Sequence, residues 1–232
     1  MKKLPETDAI FARLAEVNPA ADADPTILRL SVDAKARVVL GPFSRGGHSR
    51  VAVAALDHDF RTAPTVTPLG VFLPAVNEIY LYFIEGPVTA DAVADVIELT
   101  WQQVAPRFPT VQTLHVNLDN GPENHSRRTQ FMQRLTELAG TYQLTVQLAY
   151  YPPYHSKYNP IERVWGVLEQ HWNGSLLDSL ATAMALARTM TYKQVTPIVQ
   201  HIQRTYTTGV TLTAKAMAAL EVRFEREPDL EK

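Results

Sequence analysis

The 232-residue chain contains no cysteine. That absence removes disulfides, thiolate zinc sites, iron–sulfur clusters and thiol nucleophiles together. It also has no surplus of basic side chains: 22 Lys and Arg stand against 24 Asp and Glu, a net charge of −2. A chain that grips nucleic acid by electrostatics alone is usually strongly basic, so any nucleic-acid reading must account for this balance. Long apolar runs are missing too. The longest candidate, Leu69 to Ile84, contains Pro74, Asn77 and Glu78, and about 20 mainly apolar residues are needed to span a bilayer. The first lysines are followed by Leu-Pro-Glu-Thr-Asp and not by an apolar core, so the start does not read as a secretory signal. A cytoplasmic location and no membrane partner are expected. What is present is ordinary globular composition, 46% hydrophobic and 20% charged, without repeats or low-complexity tracts.

Hydrophobic patterning places the elements. A short helix is predicted over Asp8 to Val17, then a polar linker from Asn18 to Pro25. Alternation predicts strands over 27–33, 37–40, 79–84, 113–118 and 144–149. Helical spacing predicts helices over Thr89 to Val104, Arg127 to Leu138 (stopped by Gly140) and Ile161 to His171, the last opened by Pro160. From Leu177 onward the pattern reads as helical. Three consecutive strands followed by alternating units imply a mixed sheet. This is the order of an RNase H-like fold, a mixed five-stranded sheet flanked by helices, although other α/β sheets share such an order.

Three acids fall at telling places on these elements. Asp33 ends the first strand, Asp119 ends the fourth, and Glu162 lies in the first turn of the helix after the fifth. Ligands collect at strand ends in open α/β sheets. Hard carboxylate oxygens suit Mg²⁺ or Mn²⁺ and not zinc, and two such ions can activate an attacking oxygen and stabilise a leaving oxygen of a phosphodiester. Each acid also has a plainer reading. Asp33 fits a hairpin turn, Asp119-Asn-Gly is a turn signal, and Glu162 favours a helix N-terminus. Glu169, two turns after Glu162, is an alternative ligand. Asp57 and Asp59 are weaker ones.

Residues 152–162 read Pro-Pro-Tyr-His-Ser-Lys-Tyr-Asn-Pro-Ile-Glu. The prolines end the preceding strand, and Asn159 is placed to cap the next helix. This stretch resembles the PPY…NPIE signature of mariner-like and related insertion-sequence transposases. Asp119 with Asn124-His-Ser-Arg127, and His171-Trp-Asn-Gly174, are most similar to the ISAzo-type group, also called Rhodopirellula-type transposases. Ser31-Val-Asp33 and His58-Asp-Phe60 have counterparts there. The resemblance covers roughly Ile27 to Phe224 and is most specific from Leu118 to Gly174.

The resemblance implies a DDE triad of Asp33, Asp119 and Glu162 that holds Mg²⁺ or Mn²⁺ as a two-metal site. It also implies cleavage and strand transfer of transposon DNA, by a homodimer or higher oligomer on the DNA. A catalytically silent remnant that serves as a binding module and an RNase H-like nuclease are the rival functions. The 42 residues between Asp119 and Glu162 exceed the spacing of many mariner-like enzymes, and a loop plus a full helix accommodates them. Only about 26 residues precede the first strand, too few for the helix-turn-helix region of full-length relatives. The expected organisation is therefore a helix and linker (1–26), a catalytic core (27–175) and a helical extension (176–232). Candidate DNA contacts are Lys157, His155 and Tyr154 beside the third acid, Arg127 and Arg128 at a helix start, and Arg45 and Arg50 in a glycine-bearing loop. Trp101 and Trp165 are assigned to the core and His171 to a structural role.

Overall fold

Period-two alternation along two strands sets the architecture. Leu28, Leu30 and Val32 share one face with Leu114, Val116 and Leu118, all in one apolar cluster. Arg29, Ser31, Asp33, His115 and Asn117 alternate with them onto the opposite face and are buried as well. Both faces of these strands are therefore covered, one by an apolar layer and one by a polar layer.

The computed structural model describes residues 6–49, 54–55 and 63–226. Its elements are α1 (Thr7–Ala23), β1 (Ile27–Ala34), β2 (Val38–Val39), β3 (Thr65–Leu73), β4 (Glu78–Glu85), α2 (Ala90–Val104), β5 (Thr113–Leu118), α3 (Thr129–Tyr142), β6 (Thr145–Tyr150), α4 (Ile161–Trp172), α5 (Leu180–Thr189), β7 (Ile198–Ile202) and α6 (Ala214–Glu221). The strands form one mixed seven-stranded sheet in the order β6-β5-β1-β3-β4-β7, with β2 paired to β3. The pairs β1–β5, β5–β6 and β4–β7 are parallel, and the pairs of β3 are antiparallel. Helices α2 and α3 pack on one face around Trp101 and Phe131. Helices α4 and α5 pack on the other around Trp165, Trp172 and Phe83. No helix among the described residues is long and apolar enough to cross a membrane.

The expected five strands become seven because β3 and β7 carry misleading local signals. Pro68 lies in the middle of β3 and reads against a central strand. It sits where the neighbour of β3 changes: residues 69–72 pair with β1 and residues 65–66 with β2. The Pro68 carbonyl accepts from the Lys35 N–H at 2.9 Å. Its ring nitrogen faces the same side, at the break between β1 and β2, so no ladder bond is lost. The region after Leu177 is not helical throughout. Strand β7 is only five residues long, and parallel pairing to β4 defines it more than its own pattern does.

Two helix ends also differ from expectation. Helix α3 runs through Gly140 to Tyr142, and Gln143 takes the left-handed conformation (φ 54°) that ends it, with the Leu144 N–H on the Ala139 carbonyl at 2.9 Å. Helix α1 continues through the expected linker, despite Pro19, to Ala23. Its second half is anchored on the polar face of the sheet. Asn18 Oδ1 meets Asn117 Nδ2 and His115 Nε2, each at 2.9 Å. Asp22 pairs with the buried Arg29 at 2.5 Å. These tertiary bonds outweigh the one intrahelical bond that the proline removes.

Burial holds the His115 imidazole below its ordinary pKa, and nearby Arg29 adds to that, against the Gln147 hydrogen bond. A histidine buried neutral gives up stability on acidification, because below pH ~6.5 the unfolded chain takes up a proton that the folded chain refuses. The contribution of His115 to stability should therefore shrink between pH 7.5 and pH 5.5, read as the difference in urea midpoint between wild type and His115→Gln, which should move in favour of the variant over that window.

Candidate active site

Strand β1 carries Asp33 near its end, and β5 runs directly into Asp119. Ser31 is in parallel register with Asn117. Asp33 lies two residues past Ser31, still in β1, and Asp119 two residues past Asn117, one beyond the end of β5, so the same register carried forward sets them next to each other. Adjacent strands lie about 4.8 Å apart. The first two acids are thus placed by backbone pairing at the centre of the sheet.

The third is brought in by a lock between β1 and the start of α4. Ser31 Oγ donates to Asn159 Oδ1 at 2.5 Å and accepts from the Ile161 N–H at 2.9 Å. Asn159 Nδ2 donates to the Val32 carbonyl at 3.0 Å, and Asn159 is wholly buried. Asn159 was expected to cap α4 with its side chain. Instead Ser31, 130 residues upstream of Ile161, supplies the cap, and Asn159 uses its amide to fasten the segment to β1. Glu162 follows in the first turn, half-buried. Its side chain forms no hydrogen bond or ion pair with the described residues.

Around each aspartate the structure is specific. Trp165 Nε1 donates to Asp33 Oδ2 at 2.9 Å. The Asp119 Oδ1 accepts from the Gly121 N–H and from Asn124 Nδ2, each at 3.0 Å. Tyr150 in turn donates its hydroxyl to the Asn124 carbonyl at 2.6 Å. Burial pushes the Asp33 carboxyl up to about 8, with Asp119 and Glu162 adding to the rise and the Trp165 and Ala34 hydrogen bonds opposing it. Asp119 and Glu162 are therefore both close enough to act on Asp33 electrostatically. As they stand, no group of three His, Asp or Glu side chains among the described residues is gathered into a metal-holding cluster.

With this geometry in view, the comparisons fall into place. The family model described as the Rhodopirellula transposase DDE domain matches residues 1–232. The chain belongs to that family. Among solved structures it is similar to the Mos1 transposase paired-end complex with the left transposon end, at a TM-score of 0.53 and 11% identity over 78% of this chain and 53% of that one. It is similar also to the Mos1 mariner paired-end complex with Mn, at 0.53 and 10% identity over 78% and 54%. At these identities the likeness shows the fold, the RNase H-like one. The chain spans about half the length of the Mos1 chains it matches. No curated protein matches it.

The remaining candidates of this DDE domain are spread between surface and interior. Lys157 and Tyr154 are exposed beside the third acid. The Lys157 ammonium lies over the Tyr158 ring at 5.1 Å, and Tyr154 is 66% exposed with a left-handed backbone (φ 66°). His155, expected on the same surface, is buried: its Nδ1 is 2.8 Å from the Pro153 carbonyl, and its ring meets Phe11 of α1 edge-on. Arg127 is exposed before α3, while Arg128 pairs with Glu123 at 3.7 Å. Arg45 lies over Trp172 and pairs with Glu169 at 2.8 Å. Lys35 also holds Glu169, at 2.7 Å. Two cations thus occupy the alternative ligand, and they hold its carboxyl below its usual range against the opposing effect of burial. Arg50, Asp57 and Asp59 lie outside the described residues. His171 is tied to Thr189 at 2.9 Å, as a structural residue would be.

Sequence reasoning missed the work of Ser31, Asn124 and Trp165. Ser31 and Asn124 are small polar residues next to an acid in a motif, which is a weak signal. Trp165 sits on the apolar stripe of α4, and nothing local marks its N–H as the group that reaches Asp33.

Ser31→Ala would leave the Asn159 Oδ1 and the Ile161 N–H buried without partners, a loss of about 1–3 kcal/mol read from the urea midpoint. Asp33→Asn should stabilise the protein in the presence of a chelator. Folding raises the Asp33 pKa, so the stability that this group contributes is lost as pH rises from about 4 towards about 8. The amide variant should show a flatter profile and a Tm several degrees higher at pH 8.

Proposed function

We propose that this domain carries out divalent-metal-dependent cleavage and strand transfer of transposon DNA, with Asp33, Asp119 and Glu162 as its catalytic acids. The observation that carries the reading is the placement of Asp33 in β1 and of Asp119 directly after the end of its parallel neighbour β5, with the charges of Asp119 and Glu162 bearing on Asp33. Family membership and the Mos1-like fold support it.

The residues fit a hard divalent cation. Three carboxylates supply hard oxygen donors, and the buried Asp33 carboxyl is pushed to about 8 by burial and by its two neighbours, which a cation would reverse. Beside Asp119, Asn124 Oδ1 is buried and has no partner among the described residues, an oxygen acceptor left over at the site. Asp33, Asp119 and Glu162 would hold Mg²⁺ or Mn²⁺. When bound, such ions lower the pKa of an attacking hydroxyl and offset charge on a leaving oxygen.

The chain's own groups do the rest. The two strand-borne aspartates are fixed, Asp119 by Gly121 and Asn124 and Asp33 by Trp165. Glu162, unengaged by the described residues, is the member able to swing in and close the site. Lys157, Tyr154 and Arg127 are the exposed candidates for DNA contacts: Lys157 and Arg127 towards phosphates, Tyr154 towards an unpaired base. A homodimer or higher oligomer on the DNA is the assembly proposed for this chain.

The test is cleavage of a labelled transposon-end duplex in Mg²⁺. Asp119→Asn and Glu162→Gln should each lower the rate at least a thousandfold or so, the scale of losing an essential catalytic group, while the far-UV spectrum is unchanged. Wild-type rates in either variant would refute the assignment. Preferential cutting of an RNA–DNA hybrid would redirect it to RNA.

A further inference from the structure

Gly70 of β3 lies directly across from Asp33 in the antiparallel register. Cross-strand partners present their side chains on the same face. A side chain at position 70 would thus stand next to the Asp33 carboxyl. There is none, and the indole of Trp165 fills the space: a Cβ on Gly70 would come within 2.6 Å of Trp165 Cη2 and 2.7 Å of its Cζ2, and within 2.8 Å of Ile161 Cδ1. From this notch the ring sends its Nε1–H to Asp33 Oδ2 at 2.9 Å. Trp165 is only 5% exposed, so its ring also walls off that side of the carboxylate from water. It stands three residues after Glu162, one helical turn along the same face. Helix α4 therefore delivers an acid and an indole to the sheet together.

We propose that Trp165 is a positioning residue for the catalytic site: seated in the Gly70 notch, it holds Asp33 in the orientation that accepts the divalent cation. The inference rests on the reading of Asp33 as a cation ligand. An aspartate between two other acids is repelled by both, and an unrestrained side chain turns away from them. The indole N–H takes one carboxylate oxygen and fixes that rotation, as outer partners do for metal ligands generally. Tryptophan fits because its reach spans from the helix across the glycine to β1 and because it donates without accepting. Phenylalanine keeps the packing and loses the restraint. Alanine at position 70 keeps the N–H and displaces the ring.

Cation affinity, measured by Mg²⁺ calorimetry and Mn²⁺ spin resonance without DNA, reads the proposal directly. Trp165→Phe and Gly70→Ala should each bind about tenfold more weakly, the usual scale for losing an outer partner of a ligand. They should cleave with a lowered kcat and a KM for DNA close to wild type. Trp101→Phe removes a core indole on the opposite face of the sheet, so it should lower Tm and leave the affinity unchanged. In ¹⁵N spectra the Trp165 indole signal, identified by its loss in Trp165→Phe, should shift on adding Mg²⁺ to the wild type and not to Asp33→Asn. A Trp165→Phe protein that binds Mg²⁺ as tightly as wild type would overturn the proposal and leave the transposase reading standing. Should neither Trp165→Phe nor Gly70→Ala fold, the Trp165 signal is identified by elimination with Trp101→Phe and Trp172→Phe, and its indifference to saturating Mg²⁺ in the wild type overturns the proposal. A wild type that binds no cation at all defeats the site reading and this inference with it.

Discussion

The whole site depends on one buried polar junction, the serine–asparagine lock between β1 and the start of α4. It is built from short side chains, so it tolerates little slack. Ser31 serves both as the cap for the helix and as the donor to Asn159, and Asn159 returns a bond to the β1 backbone. Every donor and acceptor in it is satisfied, which is the condition under which a buried polar group specifies structure and does not merely weaken it. Because the lock sits two residues before Asp33 and three before Glu162, it converts a long-range chain contact into a fixed relation between two acids. The β1–β5 register does the same for Asp33 and Asp119. One relation is made by side chains and the other by backbone pairing, and both meet at Asp33.

The burial of charge in this domain explains its near-neutral composition. Arg134 is ringed by Asp91, Asp95, Glu98 and Glu137. Arg29 serves Asp22, Arg107 serves Glu78, and Arg45 serves Glu169. Many of the guanidinium groups that a count would offer to DNA are thus engaged internally. The exposed basic side chains of these segments are few, Lys157 and Arg127, with Arg163 on the exposed side of α4. A chain with no global positive field can still present positive charge at one place.

Much of the sheet was legible because strands β1, β4, β5 and β6 announce themselves by alternation, and their order constrains the topology. The places of the three acids on their elements were legible because each falls at the end of a strand or the start of a helix. Illegible parts share a cause: their local signal points one way and a distant partner pulls the other. Pro68 looks like a strand breaker until the gap between β1 and β2 receives it. Pro19 looks like a helix stop until Asn18 and Asp22 are tied to the sheet. Asn159 looks like a cap, and its helix is capped by a residue far upstream. Trp165 looks like core and is core, but the one polar atom it carries is the part that matters to Asp33. Periodicity reports which face a side chain takes, not which atom across the sheet it will meet.

Strand β7 leaves a consequence for how the chain is made. Strand β4 is buried along both faces, and one of its edges is covered by β7, which begins only at Ile198. A nascent chain emerging from the ribosome displays β1, β3 and β4 long before that cover exists. Over that interval the backbone of Tyr80–Ile84 is an open apolar edge, the kind that recruits other strands. The late segment therefore acts as a seal against intermolecular pairing, and its arrival marks the moment when the sheet stops being a hazard to its neighbours.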